Sequence, residues 1–468
     1  MSVLIKGGRI VTASEDYIAD IFIENERISL IGTNLKVNAD KVIDAKGKYV
    51  LPGAIDPHTH IEFPFGATTT CDTWTSATTA AAAGGTTTVV DFCVQTPGKS
   101  LAHALDAWHG KMAKNKPVID VGFHMAITDL KKPETMTELA KIGDAGITSY
   151  KLFMAYKGAV MVDDTTLFKV LRQAHEKGAL TMVHAENGDA IDVLVKEAQA
   201  KKQTAPKYHA LTRPVETEAE ATNRAIQLAR IADAALYVVH VSCKQSIAPI
   251  ATARENDWNI HGETCPQYLF FDESYLDKPN FEGAKWVYTP PPRAKEHQDH
   301  LWHALNKDVL SVISTDHCPF NWKGQKSIGK KDFAAIPNGG VGIEDRLRLI
   351  HHYGVNEGRI SLNRMVELLS TAPAKYFGLY PRKGTVSVGA DADLVIFDPK
   401  KSWTISQKTS HCLADHNLYE GRKVKGTPVA TLVRGKVVVE DNKLVAAPGH
   451  GEFIKRANFG EKLLAKGK

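Results

Sequence analysis

Apolar positions along the chain follow two rhythms. Near the N-terminus, short runs at Ser2–Ile5, Ile21–Ile23 and Ile28–Ile31 are separated by the turn-prone Lys6-Gly7-Gly8 and Glu24-Asn25-Glu26, a texture that predicts β-strands. The same texture returns beyond residue 382, in Thr385–Val388, Asp393–Phe397, Ala430–Val433 and Lys436–Val439. The ends of a domain commonly lie close together, so the two end segments are expected to pair into one small β unit around a long insertion.

The insertion alternates. Eight β-prone apolar segments stand at Val50–Ile55, Thr87–Phe92, Ile119–Ile127, Ile147–Leu152, Leu180–Val183, Leu236–Val241, Trp258–Ile260 with the residues that follow, and Leu310–Ile313. Helical patterns lie between them, clearest at Thr135–Ala145, Asp164–Lys177, Glu216–Ile231 and Gln245–Glu255. Strands alternating with helices in this number predict an α/β chain with a (β/α)8 TIM-type barrel. A doubly wound open sheet is the competing architecture, but no glycine-rich phosphate loop follows the first strand. The expected organisation is a β-sandwich from residues 1–52 and 382–468, the second part carrying a C-terminal tail, around a catalytic barrel at 53–381.

Composition excludes more than it adds. Over 468 residues, 43% hydrophobic and 24% charged are ordinary globular proportions. The 58 basic and 53 acidic residues are interspersed until the last stretch of the chain, so no nucleic-acid surface is expected. No apolar run approaches the length that spans a bilayer, and the opening residues lack the apolar core of a secretion signal. Cysteines at 71, 93, 243, 265, 318 and 412 show no CxxC spacing, which excludes a zinc ribbon or a redox motif. Reduced thiols in the cytoplasm are the simpler expectation.

Candidate ligands gather where the strands end. His58 and His60 follow the first, Lys151 ends the fourth, His184 the fifth, His240 the sixth and Asp316 the eighth. In a barrel that end is where active sites are built. In extended chain, residues two apart point the same way, so His58 and His60 can reach one metal. Such a pair alone is more often surface or core. Apolar strands that repeatedly end in a metal-ligating side chain are hard to explain as packing, and they predict a metal site. Lys151 has two readings. It can snorkel outward, or its amine can take up carbon dioxide to become a carbamate that bridges two metals. An ammonium beside two cations would leave the site strongly positive; a carbamate brings it near neutrality.

The segments Gly53-Ala54-Ile55-Asp56-Pro57-His58-Thr59-His60, Ser149 to Tyr156, His184-Ala185-Glu186-Asn187, His240-Val241-Ser242, Ser314-Thr315-Asp316-His317-Cys318 and Gly384 to Asp393 resemble the cyclic-amidase branch of the amidohydrolase superfamily. The hydantoinase and dihydropyrimidinase group is the nearest likeness, and it runs nearly end to end. The resemblance implies hydrolysis of the ring amide of 5-substituted hydantoins, dihydropyrimidines or both, to N-carbamoyl amino acids. It implies two Zn2+ per subunit, with Co2+ or Mn2+ compatible with the same ligands. His58, His60, Asp316 and an N6-carboxylysine at Lys151 would hold one ion, and His184, His240 and the same Lys151 the other, with a hydroxide between them. Asp316 is implied as the proton shuttle. Tyr156 would hydrogen-bond the hydroxide or polarise the substrate carbonyl, and Thr289 and Asn338 would fix the ring amide through main-chain groups. Many relatives carry Ser in place of Thr289, a change of little consequence for a main-chain contact. A homotetramer is the usual assembly there.

Phe63, Phe65, Phe153 and Val160 are expected either to line an apolar subsite for the 5-substituent or to be core. Allantoinase shares the ligand set and is disfavoured by that apolar wall. Dihydroorotase-like chains carry Arg where this chain has Glu62, whose charge would repel an acidic substrate. A non-enzymatic assembly module would be expected to have lost ligands, and none is missing. His297, His300 and His303 are expected to be solvated, and His351 and His352 structural. His317 is expected behind Asp316. Lys455, Arg456, Lys462, Lys466 and Lys468 are expected on a surface or subunit-contact arm.

Overall fold

Eight parallel strands run through the middle of the chain in the computed structural model, which describes residues 2–459. They are Ala54–Thr59, Thr86–Val94, Asp120–Ala126, Ser149–Phe153, Leu180–His184, Leu236–Val238, Ile260–Thr264 and Val312–Ile313, and they pair in chain order. A parallel bridge between Thr59 and His317 brings the last strand round to the first. This is the expected barrel. The strands are buried on both faces, which is why they read as apolar runs without alternation.

The helix Asp164–Lys177 shows how the return segments are specified. Asp163 caps it by accepting from the Thr166 N–H, and Gly178 ends it at φ 63°. Leu167, Val170, Leu171 and Ala174 form its buried stripe at helical spacing. Each such leucine contributes about 2 kcal/mol by leaving water, so a charge at Leu171 would detach the helix from the barrel.

Strands from both chain ends form a second, mostly antiparallel sheet. Tyr49–Pro52 stitches it together, pairing antiparallel with Leu394–Thr404 and parallel with Val3–Val11. Its apolar core mixes Ile5, Ile10 and Ile21 with Leu394, Ile396 and Leu432, so neither end can bury its face alone.

Several expectations change here. The run Val50–Ile55 is two strands in two sheets, parted at Gly53, where a Cβ would lie 2.1 Å from Thr87 Oγ1. Lys6-Gly7-Gly8 is a bulge inside the continuous strand Val3–Val11, not a turn between strands. Thr385–Val388 is not a strand: it crosses between Gly384 and Gly389, both at positive φ, and inserts Val386 into the sheet's core. His297 is buried and accepts from the Lys244 N–H, whereas His300 and His303 are exposed. Arg456 is also buried, donating to Phe377 O and Ser149 Oγ behind the barrel. Lys462, Lys466 and Lys468 lie outside the described residues.

Candidate active site

Every site residue named from the sequence lines one cavity of about 350 Å3 at the C-terminal end of the barrel. His58 and His60 turn their Nε2 atoms to the same Asp316 oxygen, each at 3.1 Å. Glu263, on the seventh strand, fixes the first ring by accepting from its Nδ1 at 2.5 Å and takes the Tyr237 hydroxyl on its other oxygen. Across the cavity, Glu186 accepts from His184 Nε2 at 2.7 Å, which leaves Nδ1 facing His240 Nε2 at 2.9 Å. Glu218 holds the turn after His240, accepting from the Ser242 N–H and from Arg293.

Three of these side chains depend on an uncommon backbone. Tyr156, His240 and Asp316 sit at φ 68°, 41° and 50°. Non-glycine residues are seldom found there, and such strain collects where a side chain must be aimed at a functional centre.

Electrostatics divides the group. Burial would lower His58, but Asp316 and Glu263 overrule it and raise its pKa to about 9. Burial lowers His60 to about 4 and His240 well below the usual range. Asp316, although buried, is held well below the carboxylate range by His58 and His60. Lys151 is 1% exposed, with the Phe92 and Phe153 rings 5.1 and 5.2 Å from its nitrogen. Burial lowers its pKa to about 7 against the pull of Glu263 and Asp316. Burial also pushes Tyr156 up to about 12, with Thr289 and Asn338 beside it only partly offsetting this.

The donor set fits divalent cations. The facing atoms of His58, His60 and Asp316 lie within 4.8 Å of one another. His60 Nδ1 and His240 Nδ1 are buried without a hydrogen-bond partner, so each ring is free to carry its proton there and direct the lone pair of its other nitrogen into the cavity. Among the described residues the other candidate cluster, Asp72, His317 and Cys412, is internally satisfied: Asp72 accepts from His317 Nε2, Ser76 Oγ and the Leu413 N–H. His317 thus braces the chain beside Asp316.

Phe63, Phe65, Phe153 and Val160 form an apolar wall. Glu62 does not join it. Its carboxylate accepts from the Trp74 N–H and from Asn115, so it is a support for the loop and not a charge facing the ligand. Arg213 also lines the cavity, beside the residues named from the sequence. Sequence reading missed it, since it lies in a loop with no strand to announce it. Glu263 and Glu186 were missed as well. Glu263 ends an apolar strand like the ligands, so the same signal was present.

The amidohydrolase family profile matches residues 49–438. A D-hydantoinase of Geobacillus stearothermophilus is 53% identical over 98% of both chains. A D-hydantoinase of Ralstonia pickettii is 49% identical over 98% of this chain and all of its own. The crystal structure of a dihydropyrimidinase from Brevibacillus agri superposes with a TM-score of 0.97 at 50% identity, covering 98% of this chain and 100% of that one.

Proposed function

The chain belongs to the amidohydrolase family, among the hydantoinases and dihydropyrimidinases, and on that premise we propose that it opens the ring amide of 5-substituted hydantoins, dihydropyrimidines or both at the cavity described, giving N-carbamoyl amino acids. One observation carries the reading: two groups of metal-donor atoms converge on the floor of a cavity whose wall is apolar.

His58, His60 and Asp316 would hold one ion and His184 and His240 the other, with Lys151 between. Zinc is the proposed metal, and Co2+ or Mn2+ suits the same ligands. Bound there, two divalent cations would lower the pKa of a bound water towards about 7 and draw electron density from the amide carbonyl. Lys151 supports an N6-carboxylysine. With a pKa of about 7 its amine is about half neutral near that pH, and a neutral amine adds to carbon dioxide with loss of one proton.

The chain's own groups carry the rest. Asp316 stays ionised in its buried place, so it can accept a proton from the attacking water and return it to the ring nitrogen. The water oxygen bonds the carbonyl carbon, the C–N bond breaks with its electron pair on nitrogen, and the relayed proton completes the NH2 of the carbamoyl group. Tyr156 keeps its proton and can donate to the carbonyl oxygen as charge develops. Thr289 and Asn338 would fix the ring through main-chain groups. The free cysteines support a reducing, cytoplasmic setting, and a homotetramer is the proposed assembly; sedimentation of the purified protein tests the latter.

The deciding experiment is a substrate panel. Purified protein with divalent metal is incubated with 5-phenylhydantoin, dihydrouracil and allantoin, and carbamoyl products are quantified. Opening of one or both of the first two, lost on chelation, is the expected result. A preference for allantoin, with its polar ureido arm, would overturn the reading of the apolar wall.

A further inference from the structure

Lys326 is fully buried at the start of a 3-10 turn, Lys326–Lys331, away from the metal-donor atoms. Its side-chain nitrogen donates to Val287 O at 2.8 Å and to Pro337 O at 3.0 Å, and it forms no salt bridge with a described carboxylate. Burial without a counterion lowers its pKa to about 7, and in either protonation state the nitrogen keeps N–H donors for these two carbonyls.

Their position gives the contacts meaning. Val287 lies two residues before Thr289, and Pro337 immediately before Asn338. Val287 O also accepts from the Gly339 N–H at 3.0 Å, so Lys326 closes a clamp between two chain segments that enter the cavity from different loops. Gly339 is required there: a Cβ would lie 2.2 Å from Cys318 O. The main-chain N–H groups of Thr289 and Asn338 and the Thr289 carbonyl have no partner among the described residues, although both residues line the cavity. Main-chain polar groups that border a cavity without a protein partner are open to a ligand there.

We propose that Lys326 is a positioning residue for the ring amide. It sets the spacing of the Thr289 and Asn338 main-chain groups and, by polarising the Pro337 carbonyl, strengthens the Asn338 N–H of the same peptide as a donor. The inference rests on the proposed cyclic-amide hydrolysis. It is distinct from an effect on metal binding, since Lys326 touches no metal-donor side chain.

Lys326→Met removes the donor at similar length and Lys326→Gln keeps one. Steady-state kinetics on 5-phenylhydantoin and dihydrouracil are measured beside divalent-metal content and melting temperature. Lys326→Met should retain wild-type metal content and a kcat near that of wild type while KM rises by about tenfold to a hundredfold, the scale of one or two lost ligand hydrogen bonds. Lys326→Gln should fall between. A folded Lys326→Met with wild-type KM overturns the proposal, as does loss of metal in step with activity, or failure of both variants to fold, which would make the residue structural. A wild-type protein that opens neither ring refutes the functional reading itself, and an active wild type beside an unaffected variant refutes the positioning role alone.

Discussion

Lys151→Met tests whether the buried amine is kept for chemistry at the expense of stability. In the metal-free, uncarboxylated protein, burial lowers the Lys151 pKa from 10.5 to about 7. The unfolded chain therefore binds the proton more tightly than the folded one. The resulting penalty is full below about pH 7 and is relieved as pH rises towards 10.5. The shift is worth about 5 kcal/mol at its limit, and linkage gives about 4 kcal/mol at pH 7 and about 2 kcal/mol at pH 9. Met occupies similar space without a charge. Metal-free Lys151→Met should thus be more stable than metal-free wild type by several kcal/mol at pH 7, with the gap narrowing at pH 9. Function reverses the order: the variant should bind little metal and open no ring, and Lys151→Arg should not rescue it, because a guanidinium does not form the carbamate. Denaturant unfolding of the chelated proteins at both pH values, with elemental analysis after reloading, measures both halves. Equal stability at pH 7, a gap that widens with pH, or an active variant would refute the reasoning.

Asp316→Asn, nearly isosteric, should lower kcat by about a thousandfold, having lost both a base and a ligand charge; an Asn variant within tenfold of wild type would remove Asp316 as the proton carrier. Tyr156→Phe should keep wild-type metal content and lose about a hundredfold in kcat, and unchanged turnover would leave Tyr156 as a wall of the cavity. Lys383→Met strips the cation from a buried cluster in which it contacts Asp393 at 2.6 Å and Asp120 at 2.7 Å, joining the barrel to the terminal sheet. Asp120 keeps Arg434, but leaving the buried Asp393 without its cation should cost about 3–5 kcal/mol, read as a shortened half-life at elevated temperature; an unchanged half-life would show that the cluster does not hold the two sheets together.

The barrel was legible because a strand buried on both faces must be apolar throughout and its return helix must be apolar on one stripe. Asp164–Lys177 matches its expected bounds because cap, stripe and terminal glycine all lie within the segment. The errors fall where the same residues serve two surroundings. Val50–Ile55 is one apolar run by composition, yet it crosses from one sheet to another at Gly53, and only the neighbour Thr87 reveals the break. Thr385–Val388 has strand-like residues and no strand to pair with, because its task is to place Val386 in a core made by others.

The site divides along the same line. Each proposed ligand closes its own strand or the turn after it, a local feature, so each was readable one segment at a time. The groups that aim the ligands are defined by a partner. Glu263 acts on His58 across 205 positions of sequence, and neither residue carries a mark of the other. Glu263 nonetheless ends its strand as the histidines end theirs, so strand-end polarity identifies members of the site without separating a ligand from the residue that orients it. The separation comes from which side chains turn their atoms into the cavity in three dimensions. Glu263 spends its oxygens on His58 Nδ1 and the Tyr237 hydroxyl, outside the cavity lining, whereas His58, His60 and Asp316 bring their facing atoms within 4.8 Å of one another in that lining. A carboxylate turned to a neighbouring ring and an imidazole turned to the cavity look alike in a sequence, and the difference between them is what makes one a support and the other a site.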